Sequence, residues 1–355
     1  MYNSSMGIIT GNSLKFGDLF CGPGGLSLGF EQAKGSGFYT KLTPVWSIDN
    51  HEDSCNTYKN NLCEQKNVKV YCKDIKTFNL EQLDPIDILA FGFPCNDFSL
   101  VGEKLGFKGE YGPLYSYGVK ILNLLSPDCF IAENVTGLSS ANSGSAFEKI
   151  KSDLRNAGYH IWVDQYKFEE FGIPQSRHRI IIVGFKKSLK ANFIKLNPTY
   201  ELVTSGEALN NIPEDASNNE YTKQSSKVVE RLKYIKPGRN VWDSELPKRL
   251  QLNVKGARLS NIYKRLDPTK PAYTVTGSGG GGTHMYHWRE NRALTNRERA
   301  RLQTFPDDFL FCGPKESVRR QIGMAIPPKF GKILGNRILQ TFCSVYEHNK
   351  NVCNR

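Results

Sequence analysis

No stretch of the 355-residue chain approaches the run of apolar residues that a membrane-crossing helix needs, about 20. The first residues also lack the basic-then-apolar pattern of a secretory leader. The expectation is a soluble, cytoplasmic protein without a membrane partner. The nine cysteines are scattered with no C-x-x-C pair, and no His/Cys cluster has the spacing of a zinc site. They read as reduced thiols and argue against a structural metal. Acidic residues are in the minority: 47 Lys and Arg stand against 35 Asp and Glu, a formal net charge of +12. That excess raises the encounter rate with a polyanion and favours phosphate contacts, although charge alone also fits an ordinary basic protein. A chain of this length usually builds one large domain, alone or with a smaller one.

The first informative stretch is Phe16-Gly17-Asp18-Leu19-Phe20-Cys21-Gly22-Pro23-Gly24-Gly25, followed by Leu26-Ser27-Leu28-Gly29-Phe30 with apolar residues at helical spacing. It reads as strand, glycine turn, helix. A second strand is expected over Pro44 to Ile48, ending at Asp49, and a third strand end near Cys72-Lys73-Asp74-Ile75. A short, nearly continuous apolar run covers Ile86 to Phe93 and stops at Pro94. Further runs fall at Cys129 to Ala132 and Ile180 to Val183, with helix-compatible segments at Ser116 to Leu125 and Ala146 to Asn156. This alternation predicts an α/β fold with a mostly parallel, doubly wound sheet.

After Lys186 the chain turns polar and rich in Asn, Ser and Lys until the glycine stretch Gly277 to Gly282. We read it as a second, smaller lobe. Thr295-Asn296-Arg297-Glu298 is a capping-box pattern opening a helix that should stop before Phe305-Pro306. The tail from Ile326 reads as one more helix running toward Phe342. The expected division is a large domain from residues 1–187 and 318–355, and a smaller one from 188–317.

In open parallel sheets, ligands bind at the carboxyl ends of the strands, and the first glycine turn lets backbone approach a cofactor. Gly22, Gly24 and Gly25 suit that role, although such a turn can be merely tight. Asp49 and Asp74, each at a strand end, can accept hydrogen bonds from ribose or base groups, or simply cap helices. Pro94-Cys95 follows a buried-strand pattern and opens the glycine-rich stretch from Asn96 to Gly112, so the thiol lies at the active edge of the sheet. A free cysteine after a strand is often an inert core thiol. Here it has company: Glu133-Asn134-Val135 ends the next strand run, and Gln175-Ser176-Arg177-His178-Arg179 precedes another. A thiol, an acid and two arginines would converge.

Taken in order, these segments resemble the motifs of the DNA cytosine-5 methyltransferase family. The C-terminal part adds Arg292-Ala293-Leu294-Thr295-Asn296-Arg297-Glu298 with Arg301-Leu302-Gln303-Thr304-Phe305-Pro306, similar to the family's penultimate motif. Gln321-Ile322-Gly323-Met324-Ala325-Ile326-Pro327-Pro328 is similar to its last. Only about Leu189 to Leu266 falls outside the likeness, where the family has its variable target-recognition region. The element Thr274-Val275-Thr276 and the glycines after it resemble that region's recurring Thr-Val element and a loop able to approach DNA closely.

The resemblance implies a Rossmann-like S-adenosylmethionine-dependent domain with a target-recognition domain, leaving S-adenosylhomocysteine as product. It implies Cys95 as nucleophile, Glu133 as proton donor to the ring, and Arg177 and Arg179 as its catalytic partners. Phe20 would lie beside the adenine, Asp49 on the ribose, Asp74 with Ile75 at the adenine, and Gly22, Gly24 and Gly25 under the methionine part, with Pro94 and Met324 completing the cofactor site. It further implies a double-stranded DNA substrate whose cytosine swings out of the duplex. The stretch from Asn96 to Gly112 is a candidate closing lid.

Compact size is similar to bacterial restriction-modification enzymes, which implies a monomer, associated with the nucleoid through DNA, and a cognate restriction endonuclease without a stable complex. Two positions depart from the family pattern: Asn96 stands where glutamine is usual, and Met324 where asparagine is usual, which puts cofactor affinity or choice in question. A relative with nearly the same motifs methylates transfer RNA, so RNA is one rival substrate. A DNA-binding module without catalysis is the rival of another class.

Overall fold

The first strand expected becomes β1 (Asn12–Leu19), an interior strand of a seven-stranded sheet that also contains β2 (Tyr39–Asp49), β3 (Lys69–Cys72), β4 (Ile88–Gly92), β5 (Cys129–Val135), β6 (Tyr159–Lys167) and β8 (His178–Lys186). The computed structural model describes residues 12–63, 67–93, 114–138, 144–253, 259–277 and 279–353. Strand order is β3-β2-β1-β4-β5-β8-β6, with parallel neighbours from β3 through β5 and β8 antiparallel to both β5 and β6. The expected mixed, mostly parallel α/β sheet is what the chain forms.

Both faces of this sheet are covered, which is why its strands read as continuous apolar runs. Ile88 and Ala90 face one core with Phe16, Phe30, Ile181 and Val183. Leu89 and Phe91 alternate into the other with Trp46, Ile121, Ile150 and Ile182. The first face is packed by α1 (Gly25–Glu31) and by α9 (Pro328–Cys353), the longest helix. Phe330 of α9 stacks on Phe168 with ring centroids 4.1 Å apart, so the C-terminus completes a core begun by the N-terminus. The second face is packed by α3 (Tyr115–Leu125) and α4 (Ser145–Asn156).

Two elements had no clear sequence signal. β6 carries an alternating but only half-buried pattern at the sheet edge, and α2 (Glu52–Leu62) buries hydroxyls and a thiol as much as apolar groups. Thr57 Oγ1 donates to Gln321 Oε1 at 2.7 Å and the Tyr58 hydroxyl donates to Ser27 Oγ at 2.9 Å. A helix held by such bonds shows little hydrophobic period.

The polar half of the chain has α5 (Ser205–Ala208), α6 (Ser226–Leu232), α7 (Asn296–Leu302) and α8 (Lys315–Met324), with β9 (Ala272–Tyr273) pairing β7 (Gln175–Ser176) in parallel. Thr295 caps α7 through the expected capping box with Glu298. Much of this lobe is irregular backbone tied down by buried arginines rather than by ladders. Arg265 donates to the carbonyls of His287, Glu290 and Leu232, and Arg297 to those of Ser217, Pro306 and Phe309. Buried carbonyls must find donors somewhere; guanidinium groups supply them here. Phe193 and Leu196 pack into the large-lobe core, whereas Val318 and Ile322 of α8 share a core with Val275 and Leu302. Among the described residues no helix is long and apolar enough to cross a membrane.

Candidate active site

The turn after β1 is built around backbone that side chains rarely adopt. Phe20 has φ 61° and Gly22 has φ 53°, the left-handed region that costs a non-glycine residue of order 1–3 kcal/mol and clusters at functional sites. Asp49, at the end of the neighbouring strand, holds the turn: its Oδ2 accepts from Gly22 N and its Oδ1 from His51 N, each at 2.9 Å. Gly25 starts α1 against the last motif, where a Cβ would lie 2.3 Å from the carbonyl oxygen of Ile326. Any larger residue would push α1 away from that wall.

Above this turn lies a cavity of about 680 Å³. Its lining includes Phe20, Gly22, Gly25, Asp49, Asp74, Ile75, Glu133, Arg177, Arg179 and Met324, so the candidate residues assemble from six separate stretches of chain. Gly24 is the exception: it caps α1 with φ 90° and packs on Leu62 and Tyr58. Pro94, Cys95 and the whole of the expected lid, Asn96 to Gly112, lie outside the described residues. Met324 is 64% exposed on the cavity wall.

The sequence reading missed Asp18 although it sits inside the quoted motif. It is buried on the cavity floor and accepts from Ser27 Oγ at 2.6 Å. Burial raises its carboxyl to about 7; the Ser27 hydrogen bond opposes the rise and the charge of Asp49 adds to it. Asp49 is likewise raised, chiefly by burial. The signal available in sequence was a carboxylate set between the apolar residues Phe16 and Leu19 at the buried end of a strand.

The folded protein keeps a proton on Asp18 that the unfolded chain has released above its ordinary 3.8. Asp18 therefore contributes stability that is full below about 4 and is lost as pH rises to about 7. Urea midpoints of the ligand-free protein should fall across that window, and Asp18→Asn should flatten the fall. Equal slopes in both proteins would contradict it.

Glu133 and Arg179 face each other across β5 and β8. Arg179 Nε donates to Glu133 Oε1 at 2.8 Å, with both side chains 14% exposed, and Arg179 Nη1 also holds the His178 carbonyl at 2.7 Å. Gly92 pairs with Glu133 in the sheet register, and a Cβ at Gly92 would meet Glu133 Oε2 at 3.3 Å. Buried Asn134 donates from Nδ2 to the Phe93 carbonyl at 3.1 Å. The chain thus leaves the sheet toward Cys95 beside the acid.

Arg177 is engaged differently. It is 2% exposed, and its Nη1 donates to the carbonyls of Val275 at 3.2 Å and Gly323 at 3.0 Å. Beside it, Gln175 Oε1 accepts from Val275 N and Gln175 Nε2 donates to Gln303 Oε1. These bonds tie the Thr-Val element and α8 to the large lobe behind the cavity.

The chemistry of this donor set selects among cofactors. The Gly22 N–H is taken by a carboxylate, and a second buried acid lies below it, so the turn is a poor cradle for phosphate. Two carboxylates on the wall instead suit a cofactor carrying positive charge and ribose hydroxyls. The sheet with one reversed strand, together with this acid-walled cavity, defines the S-adenosylmethionine-dependent methyltransferase class.

The family model for C-5 cytosine-specific DNA methylases matches residues 14–340. The chain is 53% identical over 342 residues to the type II methyltransferase M.BbvI of Brevibacillus brevis, covering 93% of this chain and 91% of that one. It is 40% identical over 352 residues to the type II methyltransferase M.NgoFVII of Neisseria gonorrhoeae, covering 95% and 89%. Among solved structures, a prophage-encoded protein of E. coli superposes with TM-score 0.72 at 22% identity, covering 93% of this chain and 99% of that one. The methyltransferase EhMeth of Entamoeba histolytica gives 0.63 at 14%, covering 93% and 98%. The chain belongs to the C-5 cytosine-specific DNA methylase family. It is a DNA (cytosine-5-)-methyltransferase, and its cofactor is S-adenosyl-L-methionine.

Proposed function

We propose that this enzyme methylates cytosines within one short sequence of duplex DNA, through a base flipped into the cavity and a covalent bond to Cys95. The observation that carries the reading is the Glu133–Arg179 pair, held at 2.8 Å beside the strand end that leads to Cys95. Cytosine position 5 is a weak nucleophile in an aromatic ring. Addition of the Cys95 thiolate to position 6 breaks that aromaticity and makes position 5 enamine-like. Glu133 supplies a proton at ring N3, where negative charge otherwise accumulates. Arg179 hydrogen-bonds the base's O2 and keeps Glu133 and the ring in register. Loss of the position-5 proton and expulsion of Cys95 then restore the ring.

S-adenosylmethionine supplies the methyl group as an electrophile. Phe20 and Ile75 flank its adenine, Asp74 takes the adenine amino group and Asp49 the ribose hydroxyls. Asp49 gives the turn the negative wall that a sulfonium and an ammonium require, Asp18 adds an acceptor beneath it, and Met324 and Pro94 would complete the cofactor site. Arg177 acts as a positioning residue, since its donors serve the backbone of the Thr-Val element and of α8. Residues 188–317 form the target-recognition domain that chooses the target sequence. No group in the cavity reaches a stacked base, so flipping costs a few kcal/mol of unpairing. By likeness to the type II methyltransferases, the enzyme serves restriction-modification in a bacterial cytoplasm, acting as a monomer on DNA of the nucleoid, with a cognate endonuclease that forms no stable complex with it.

The test is incubation with tritiated S-adenosylmethionine and either mixed-sequence duplex DNA or transfer RNA, followed by bisulfite mapping. Label on cytosines of a single sequence context in DNA is expected. Label confined to transfer RNA, or scattered without context, would overturn the reading.

A further inference from the structure

Behind the glycine stretch of the small lobe lies a cationic cluster that the proposed chemistry does not use. Arg299 of α7 is fully buried. Its Nη1 has one long bond, to the Thr276 carbonyl at 3.4 Å, and its Nε and Nη2 have no hydrogen-bond partner among the described residues. Arg319 of α8, 4% exposed, donates from Nη1 to the Gly279 carbonyl at 2.8 Å. Its nearest acid, the exposed Glu316, stays 4.0 Å away. Buried His284 completes the group: a Cβ at Gly279 would lie 3.2 Å from both His284 Nδ1 and Arg319 Nη1.

Among the described residues, that 4.0 Å contact with Glu316 is the one ion pair either guanidinium makes. Glu298, the acid next to Arg299 in sequence, is held by both terminal nitrogens of Arg292 at 2.8 Å. The consequence is visible in the groups themselves. Burial and then the charge of Arg319 lower Arg299 to about 10, and burial and both arginines lower His284 to about 4. A buried charge without a partner is costly, and an oxyanion accepting from both guanidinium groups would remove that cost. The glycine stretch leaves room at one point: a Cβ at Gly280 would meet nothing within 4 Å. Arg320, the next residue along α8, lines the main cavity, so one helix carries both part of the cluster and part of the cavity wall.

We propose that Arg299, Arg319 and His284 form an oxyanion pocket behind Gly279 whose ligand is a backbone phosphate of the DNA substrate. The proposal deepens the DNA reading and rests on it. The pocket fixes the duplex against α8 so that the target nucleotide lies over the cavity, and it reads no base.

Fluorescence anisotropy of the full chain with a mixed-sequence duplex, taken through a salt series, tests it. Arg319→Met should reduce the slope of log K against log salt by ~0.9, the release of one phosphate contact, which amounts to ~8-fold weaker binding at ~0.1 M salt. His284→Glu, which installs a carboxylate among the arginines, should raise the thermal midpoint without DNA and weaken DNA binding similarly. It carries the test if Arg319→Met does not fold. Low sulfate, compared with chloride at equal ionic strength, should stabilise the wild type more than either variant.

Unchanged slope and affinity in the folded variants, with the sulfate response intact, would mean a pocket for free oxyanions and overturn the DNA assignment. Unchanged binding with no sulfate response, or destabilisation by His284→Glu, would overturn the pocket itself. Absence of any DNA binding by the wild type would instead fail the substrate reading, while the sulfate arm still decides the pocket.

Discussion

Cys95→Ala is expected to bring methyl incorporation into duplex DNA down to background, a loss of ~10⁴-fold or more, the scale on which covalent enzymes lose rate with their nucleophile. The described chain runs to Phe93, whose carbonyl is held by Asn134 two residues before the cysteine. Register places Gly92 opposite Glu133, so the described chain ends beside the acid proposed to serve the same ring. Without the thiolate, position 5 stays part of an aromatic system and cannot attack the methyl group at a useful rate. The cofactor cavity draws most of its walls from other segments, so binding of S-adenosylhomocysteine should persist in the variant. DNA containing 5-fluorocytosine should trap a covalent complex with the wild type and none with Cys95→Ala. Comparable labelling by both proteins would remove covalent catalysis from the mechanism.

Glu133→Gln is expected to lower the single-turnover methylation rate by ~10²–10⁴, the usual worth of a positioned general acid. The amide oxygen can still accept from Arg179 Nε, which bonds Glu133 Oε1 at 2.8 Å, so the local geometry should survive. What is lost is the proton delivered to ring N3. Cofactor affinity should change little and the rate should carry nearly all of the effect. A variant that keeps its rate but weakens DNA binding would make Glu133 a docking group instead. Arg179→Leu should resemble Glu133→Gln in rate and add a cost in stability, because it leaves a mostly buried carboxylate without its cation.

Much of the catalytic lobe was legible because its strands are buried on both faces. Ile88 to Phe91 read as a strand with no knowledge of its neighbours. Thr295 and Glu298 announced the start of α7 for an equally local reason, since a capping box is closed by groups three residues apart. β6 and α2 were not legible: one lies half-buried at a sheet edge, and the other packs through Ser54, Cys55 and Thr57, whose burial depends on distant partners such as Gln321.

The same division runs through the site. Asp49, Asp74, Glu133 and Arg179 were named from strand ends and motifs, and the fold brings all four to one cavity. Asp18 and the buried arginines of the small lobe needed three dimensions. An acid at the buried end of a strand gains its raised pKa only from what surrounds it, and Arg177 shows its task only where the carbonyls of Val275 and Gly323, 98 and 146 residues further along, come within reach. By itself, then, the sequence determined the hydrophobic period of the sheet, the glycine turn, the local caps and the family motifs, since each depends on residues a few positions apart. Only the tertiary structure decided which polar groups are buried, which carbonyl each arginine serves and where charge is left unanswered, because desolvation and hydrogen bonding are set by neighbours in space.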